Sequence, residues 1–225
     1  MISAIVVAGG KGERMNSALP KQFLEILCKP ILLWAVERIW ACPKVTEMVV
    51  VVPEQHRLRA EEIFSGREVK IVAGGLERQD SVYAGLRASS AKAELVLIHD
   101  GVRPFPSRHL IERVIAGAEN FGAAIPGLPV KETIKEIEQK SGRVIGTVDR
   151  SRLYSIQTPQ VFSRELIIEA HERAQNLGFY ATDDAGLIEW MGGDVVMVSG
   201  EETNLKITTA LDLRLAELIA KEMVG

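Results

Sequence analysis

Short β-branched runs alternate along the chain with longer stretches whose apolar residues recur every three or four positions. The runs Ser3–Val7, Met48–Val52, Val69–Val72, Leu95–His99, Ala123–Pro126 and Val195–Val198 read as strands. Between them Ile31–Ala41, Glu54–Phe64, Ser81–Ala88, Ser107–Phe121, Ser163–Leu177 and Thr182–Met191 read as helices, with Ser81, Ser107, Ser163 and Thr182 as expected N-caps. Thr209–Val224 reads as a closing helix. Strand and helix in alternation predict an α/β fold, a mostly parallel sheet with helices on both faces. One segment departs from the alternation. Polar and apolar residues alternate over Lys131–Glu138, Gln139-Lys140-Ser141-Gly142 turns, and Arg143–Val148 returns. This is a β-hairpin pattern. A hairpin so charged offers too little apolar surface for a core of its own, so an arm at about 131–148 is expected to project from the sheet and to pack on a partner subunit.

With 225 residues and neither linker nor repeat, residues 1–225 are expected to form a single domain. Lys and Arg number 27 against 30 Asp and Glu, a net charge of −3 that argues against nucleic acid or an anionic membrane as a partner. Apolar residues make up 47%, but no apolar run nears the ~18 residues of a membrane span. Met1–Ile5 lacks the basic start of a signal peptide, and two cysteines, Cys28 and Cys42, are too few for a disulfide framework or a four-ligand zinc site. A cytoplasmic location is the resulting expectation.

The first strand empties into Ala8-Gly9-Gly10-Lys11-Gly12-Glu13-Arg14-Met15, where glycines let backbone N–H groups approach a phosphate. The loop lacks the Gly-Lys-Ser/Thr of a Walker loop, and Met15 replaces the last glycine of the dinucleotide fingerprint, so generic kinases and dehydrogenases are disfavoured. Lys11, Arg14 and, after Pro20, Lys21 put three cations on one connection, which suits a triphosphate. Asp100, in His99-Asp100-Gly101-Val102-Arg103-Pro104, ends an apolar strand at the rim where open α/β sheets bind ligands. A carboxylate there can hold Mg²⁺, which needs only one or two protein carboxylates beside substrate phosphates. Gly74-Gly75-Leu76-Glu77-Arg78-Gln79-Asp80-Ser81 is a second loop after a strand, whose amides and Ser81 hydroxyl could read the edge of a base.

Together with Pro20-Lys21-Gln22, Arg103-Pro104, Lys131 to Thr133, Val148-Asp149-Arg150, Thr158-Pro159-Gln160, Thr182-Asp183 and Lys206-Ile207-Thr208, these segments resemble, in order and nearly end to end, the 2-C-methyl-D-erythritol 4-phosphate cytidylyltransferase family of the non-mevalonate isoprenoid route. The resemblance implies a Rossmann-like nucleotide-diphospho-sugar transferase fold and a homodimer joined through the β-arm. It implies that Ala8, Gly9 and Gly10 cradle the phosphates of CTP, that Arg14 and Lys21 bracket its α-phosphate, that Asp100 ligates Mg²⁺, and that Gly75 and Ser81 face the base or ribose. Arg103, Thr133, Arg150 and Thr182 would serve the polyol phosphate, and Lys206 would stand beside the attacking phosphate. Arg14, Lys21, Arg150 and Lys206 are thus the expected catalytic set. Two departures from the family pattern are Gly101-Val102, where many members carry an alanine pair, and Leu76, at a position often acidic. A pentitol-phosphate cytidylyltransferase acting on ribitol 5-phosphate and a non-catalytic nucleotide-binding module are the alternatives.

Overall fold

The computed structural model describes residues 1–10 and 19–224, apart from the side chain of Val224. Lys11 and Arg14 therefore lie outside the described residues.

The chain opens with β1 (Ile2–Val7), a small hairpin of β2 (Glu25–Ile26) and β3 (Lys29–Pro30), and α1 (Ile31–Trp40). Three repeats of strand and helix follow: β4 (Val45–Val52) with α2 (Arg57–Ile63), β5 (Lys70–Ala73) with α3 (Arg78–Ala88), and β6 (Leu95–Asp100) with α4 (Arg108–Phe121). After β7 (Ala123–Pro129) come the arm strands β8 (Ile134–Ile137) and β9 (Val144–Val148), then β10 (Tyr154–Ile156) and β11 (Gln160–Ser163). The chain closes with α5 (Arg164–Leu177), α6 (Asp184–Trp190), β12 (Val196–Ser199) and α7 (Ala210–Val224).

Eight strands form one sheet in the order β10-β7-β11-β6-β1-β4-β5, with β12 on the other side of β7. The β6-β1-β4-β5 half is parallel, as the alternation predicts, and β12 also runs parallel to β7. The short strands β10 and β11, missed by periodicity, run antiparallel and extend the sheet past β6. Both faces are covered. On one, Ala4 and Val6 of β1 meet Leu32, Val36 and Ile39 of α1 and the apolar stripe of α4. On the other, Ile5 and Val7 meet Val82 and Leu86 of α3 and Ile167, Ala170 and Ala174 of α5. This two-residue alternation explains why the central strands read as unbroken apolar runs. A third cluster seats Ala216 and Ala220 of α7 with Trp34, Phe105, Val102 and Ile207, fixing the segment that carries Lys206 to the body.

Helix starts are where expectation and structure differ most. Ser107 caps α4, its Oγ accepting the Leu110 N–H at 3.0 Å, and Gly122, with φ of 82°, ends that helix in the left-handed conformation. Ser81 and Thr182 are not caps. α3 starts three residues earlier, through a reciprocal capping box of Glu77 and Asp80, and Asp183 caps α6. Ser163 stands at the N-cap of α5 without a side-chain cap bond, and Glu54–Phe64 divides into a 3₁₀ turn, Glu54–His56, and α2.

The arm forms as a two-stranded sheet of its own, paired from Ile134↔Val148 to Ile137↔Val144 and separate from the main sheet. Its roots are held together where the Val130 N–H donates to the Leu153 carbonyl at 3.0 Å.

Candidate functional site: a charged cleft at the sheet rim

The register of the two central strands sets the site. Val7, the last residue of β1, pairs with Asp100, the last residue of β6, so the glycine loop and the aspartate leave the sheet side by side. A cavity of about 630 Å³ opens above this point. The second wall is the turn before α3, where glycine is required by packing rather than by φ. A Cβ on Gly74 would stand 2.6 Å from Ser81 Oγ, and one on Gly75 2.3 Å from Asp80 Cβ. The loop can therefore press against the first turn of α3 only with these two residues bare. Gly101 is confined less tightly, since a Cβ there would meet Leu32 Cδ1 at 2.8 Å and Ala8 Cβ at 3.1 Å. Leu76 stands at the mouth of the cavity, 96% exposed, with the acidic Glu77 beside it.

Of the expected site residues, Ala8, Gly9, Gly10, Lys21, Gly75, Ser81, Asp100 and Lys206 all line this cavity. Lys21 starts the 3₁₀ turn Lys21–Phe23, which is tied to the strand end by the buried Gln22, whose Nε2 donates to the Ala8 carbonyl at 2.7 Å. The turn leans the lysine over the glycines, and a Cβ on Gly10 would lie 3.6 Å from Lys21 Cε.

Asp100 is the electrostatic centre. Lys206 Nζ lies 2.7 Å from its Oδ2, Arg78 Nε donates to Oδ1 at 3.2 Å, and Arg103 Nε lies 3.8 Å from Oδ2. Burial by itself would favour the neutral acid, but the neighbouring cations Arg78, Lys206 and Arg103 outweigh it and hold the carboxyl far below its ordinary range. Asp100 is a fixed anion. Its main chain is held as well, its N–H donating to Thr158 Oγ1 at 3.0 Å. Thr158 in turn contacts Nδ1 of His99 at 3.1 Å, and the other ring nitrogen, Nε2, lies 2.9 Å from the Arg103 carbonyl. A carbonyl can only accept, so Nε2 carries the proton and Nδ1 accepts from the threonine hydroxyl. Burial pushes the His99 pKa down to about 4, which keeps the ring neutral in this role.

Arg103 is turned inward, its Nη1 donating to the Asn204 carbonyl at 2.8 Å, so it meets the cleft through Asp100 rather than by lining it. Thr133, Arg150 and Thr182 are exposed and lie outside the cavity lining. The Arg150 guanidinium donates to the Lys131 carbonyl, across the root of the arm.

Arg78 is the residue that pattern reading passed over. It bridges Asp100 and Asp184, donating from Nη1 to Asp184 Oδ2 at 2.8 Å. Burial would lower its pKa, and the two carboxylates, Asp184 foremost, raise it instead. Placing the helix start at Ser81 left Arg78 in a loop. The Glu77-x-x-Asp80 box was the signal that puts it in the first helical turn, facing the rim.

The described residues contain no group of three or more His, Cys, Asp or Glu side chains able to enclose a metal. One ionised carboxylate at a cleft suited to phosphates is nevertheless a donor set that fits Mg²⁺, which fills most of its coordination with water and phosphate oxygens. Among the described residues no helix is long and apolar enough to cross a membrane.

Comparison with known proteins agrees with this geometry. The family model for 2-C-methyl-D-erythritol 4-phosphate cytidylyltransferase matches residues 2–222. A protein of that name from Syntrophus aciditrophicus is 43% identical over 100% of this chain and 97% of its own length, and one from Clostridium botulinum 44% identical over 97% and 99%. Among solved structures, the 4-diphosphocytidyl-2C-methyl-D-erythritol synthase of Anaerococcus prevotii superposes with a TM-score of 0.86 at 32% identity, covering 98% of this chain and 96% of that one. The Thermus thermophilus cytidylyltransferase gives 0.82 at 37% identity, covering 98% and 100%. With the match running through the glycine loop, the aspartate rim and the arm alike, the chain belongs to the 2-C-methyl-D-erythritol 4-phosphate cytidylyltransferase family.

Proposed function

We infer that the rim cleft carries out the family's reaction, joining CTP and 2-C-methyl-D-erythritol 4-phosphate to give 4-diphosphocytidyl-2-C-methyl-D-erythritol and pyrophosphate. The observation that carries the reading is the convergence of Lys21, Lys206, Arg78 and the ionised Asp100 on one cavity beside a strand-end glycine pair.

The attacking group is a phosphomonoester oxygen, already an anion, so the chain need supply no strong base. A bond forms from that oxygen to the α-phosphorus as the bond to the bridging oxygen of pyrophosphate breaks. The barrier lies in bringing two anions together, and the remedy is fixed positive charge and alignment. Backbone amides at Gly9 and Gly10 face the triphosphate, with Ala8 at the base of the turn, while Gly75 and Ser81 face the nucleoside. Lys21 draws charge from the α-phosphate, a role the family resemblance also gives Arg14, and Lys206 accompanies the incoming phosphate. Asp100 would hold Mg²⁺, and the bound ion would supply further neutralisation of phosphate oxygens. Arg103 holds the aspartate from behind. Lys206 and Arg78 occupy the Asp100 oxygens in the free protein and are positioned to transfer their hydrogen bonds to phosphate.

Thr133, Arg150 and Thr182 complete the polyol-phosphate site when the arm of a second copy reaches across. A homodimer is supported by the arm's exposed apolar side chains, Ile137, Val144 and Ile145 at 52, 55 and 58% exposure, which a second surface would cover.

The test is direct. Purified protein given CTP, a magnesium salt and the methylerythritol phosphate should release pyrophosphate, and should do so far more slowly with ribitol 5-phosphate. Release with ribitol 5-phosphate alone would reassign the second substrate, and tight CTP binding without turnover on either would leave a nucleotide-binding module.

A further inference from the structure

Asp184 lies beneath the cleft, on the first turn of α6, and does not line it. It is 1% exposed. A carboxylate taken out of water is costly unless a cation meets it, so its location calls for a reason. Its partner is Arg78, whose planar guanidinium spans two carboxylates: Nη1 to Asp184 at 2.8 Å and Nε to Asp100 at 3.2 Å. One carboxylate is sealed in the interior and the other opens on the cavity. His171 also stands against Asp184, with Nε2 3.4 Å from Oδ1, a contact that makes no hydrogen bond.

The charge around Asp100 is unbalanced. Arg78, Lys206 and Arg103 all face a single carboxylate. Three cations and one anion form a good trap for a triphosphate, but a poor one for a divalent cation, which the same three would repel. Asp184 lowers that repulsion from below, because it takes up much of the field of Arg78 without occupying the cavity. We propose that Asp184 is a positioning residue that acts through Arg78, anchoring the guanidinium and offsetting its charge so that Asp100 can accept a divalent cation together with the nucleotide phosphates. The inference rests on the reading of Asp100 as the Mg²⁺ carboxylate.

Calorimetric titration of the full chain with CTP, once in chelator and once in excess Mg²⁺, tests it without reference to turnover. In Asp184→Asn, which keeps the side chain's shape and removes its charge, CTP should bind in chelator as tightly as before or more so. The gain in affinity on adding Mg²⁺ should shrink by roughly three- to tenfold. A purely architectural role would weaken both titrations together, and that outcome, or an undiminished gain, would overturn the proposal. Should the single variant not fold, Arg78→Gln/Asp184→Asn removes both charges of the pair and strands neither. Its Mg²⁺ gain should be at least that of the unaltered protein, and a reduced gain would overturn the proposal. Asp100→Asn separates the two levels of inference. If it abolishes the gain, the metal reading stands and the Asp184 variants decide. If it keeps the full gain, the metal reading fails and this proposal with it.

Discussion

At the sheet rim the charged side chains meet partners of opposite charge within one chain: Asp100 lies between Arg78 and Lys206, and Asp184 lies under Arg78. The arm, by contrast, holds Ile137, Val144 and Ile145 out in solvent, and Arg150 reaches no further than the Lys131 carbonyl at its own root. The cleft is pre-organised, so little rearrangement is left for the moment of reaction. The arm leaves its apolar side chains exposed, as an interaction surface would. On the reading proposed above, the contrast divides the activity in two: a nucleotide half built on the rim of one chain, and a polyol-phosphate half that needs a second copy.

Lys21→Ala strikes the nucleotide half hardest. Pyrophosphate release should fall on the order of 10²–10³-fold, as when a single oxyanion donor is lost, while CTP binding by calorimetry persists. Near-normal turnover would remove Lys21 from the chemistry. Deletion of residues 132–146 addresses the other half. The polyol-phosphate KM should rise about tenfold or more, the mass in solution should fall to that of a monomer, and CTP affinity should hold. A fully active monomer would erase the division between the halves.

The smallest effect concerns how the cleft keeps Lys206 in place. Asp212 accepts the N–H and hydroxyl of Thr208 and the N–H of Thr209 at 2.7–2.8 Å, tying the Lys206 segment to the start of α7. Its slight burial would raise the carboxyl's pKa, but these hydrogen bonds outweigh that and hold it below its ordinary value. The folded state thus favours the ionised form. The stabilisation is present above the unfolded carboxylate range and is lost as pH falls through the folded value. Asp212→Ala should cost about 1 kcal/mol in urea unfolding at pH 7, and less in acid, where the unaltered protein has lost the same bonds. An equal cost at both pH values would refute this role.

Periodicity made the parallel half of the sheet legible because its strands are sandwiched between helices, leaving apolar runs bounded by glycine or proline. Tyr154–Ile156 and Gln160–Ser163 follow the arm with no helical stretch between them to mark a strand-helix alternation, and their place depends on antiparallel partners far along the chain. The same holds for the site. Glycines, Lys21 and Asp100 could be read from the ends of strands, whereas the bridge from Arg78 to Asp184 joins residues 106 positions apart and exists only once α3 and α6 are packed. The arm was visible in its alternation and turn, yet nothing local states what it touches.

Because Val7 and Asp100 are opposite numbers in a parallel ladder, the spacing between glycine loop and carboxylate is a property of the backbone lattice. It can change only in whole-residue steps, and a step of one would turn Asp100 to the opposite face. Tuning in this fold is thereby confined to what hangs from the strand ends. Loops, caps and the arm are free to vary, while the distance from glycine loop to carboxylate is locked by hydrogen bonds well inside the core.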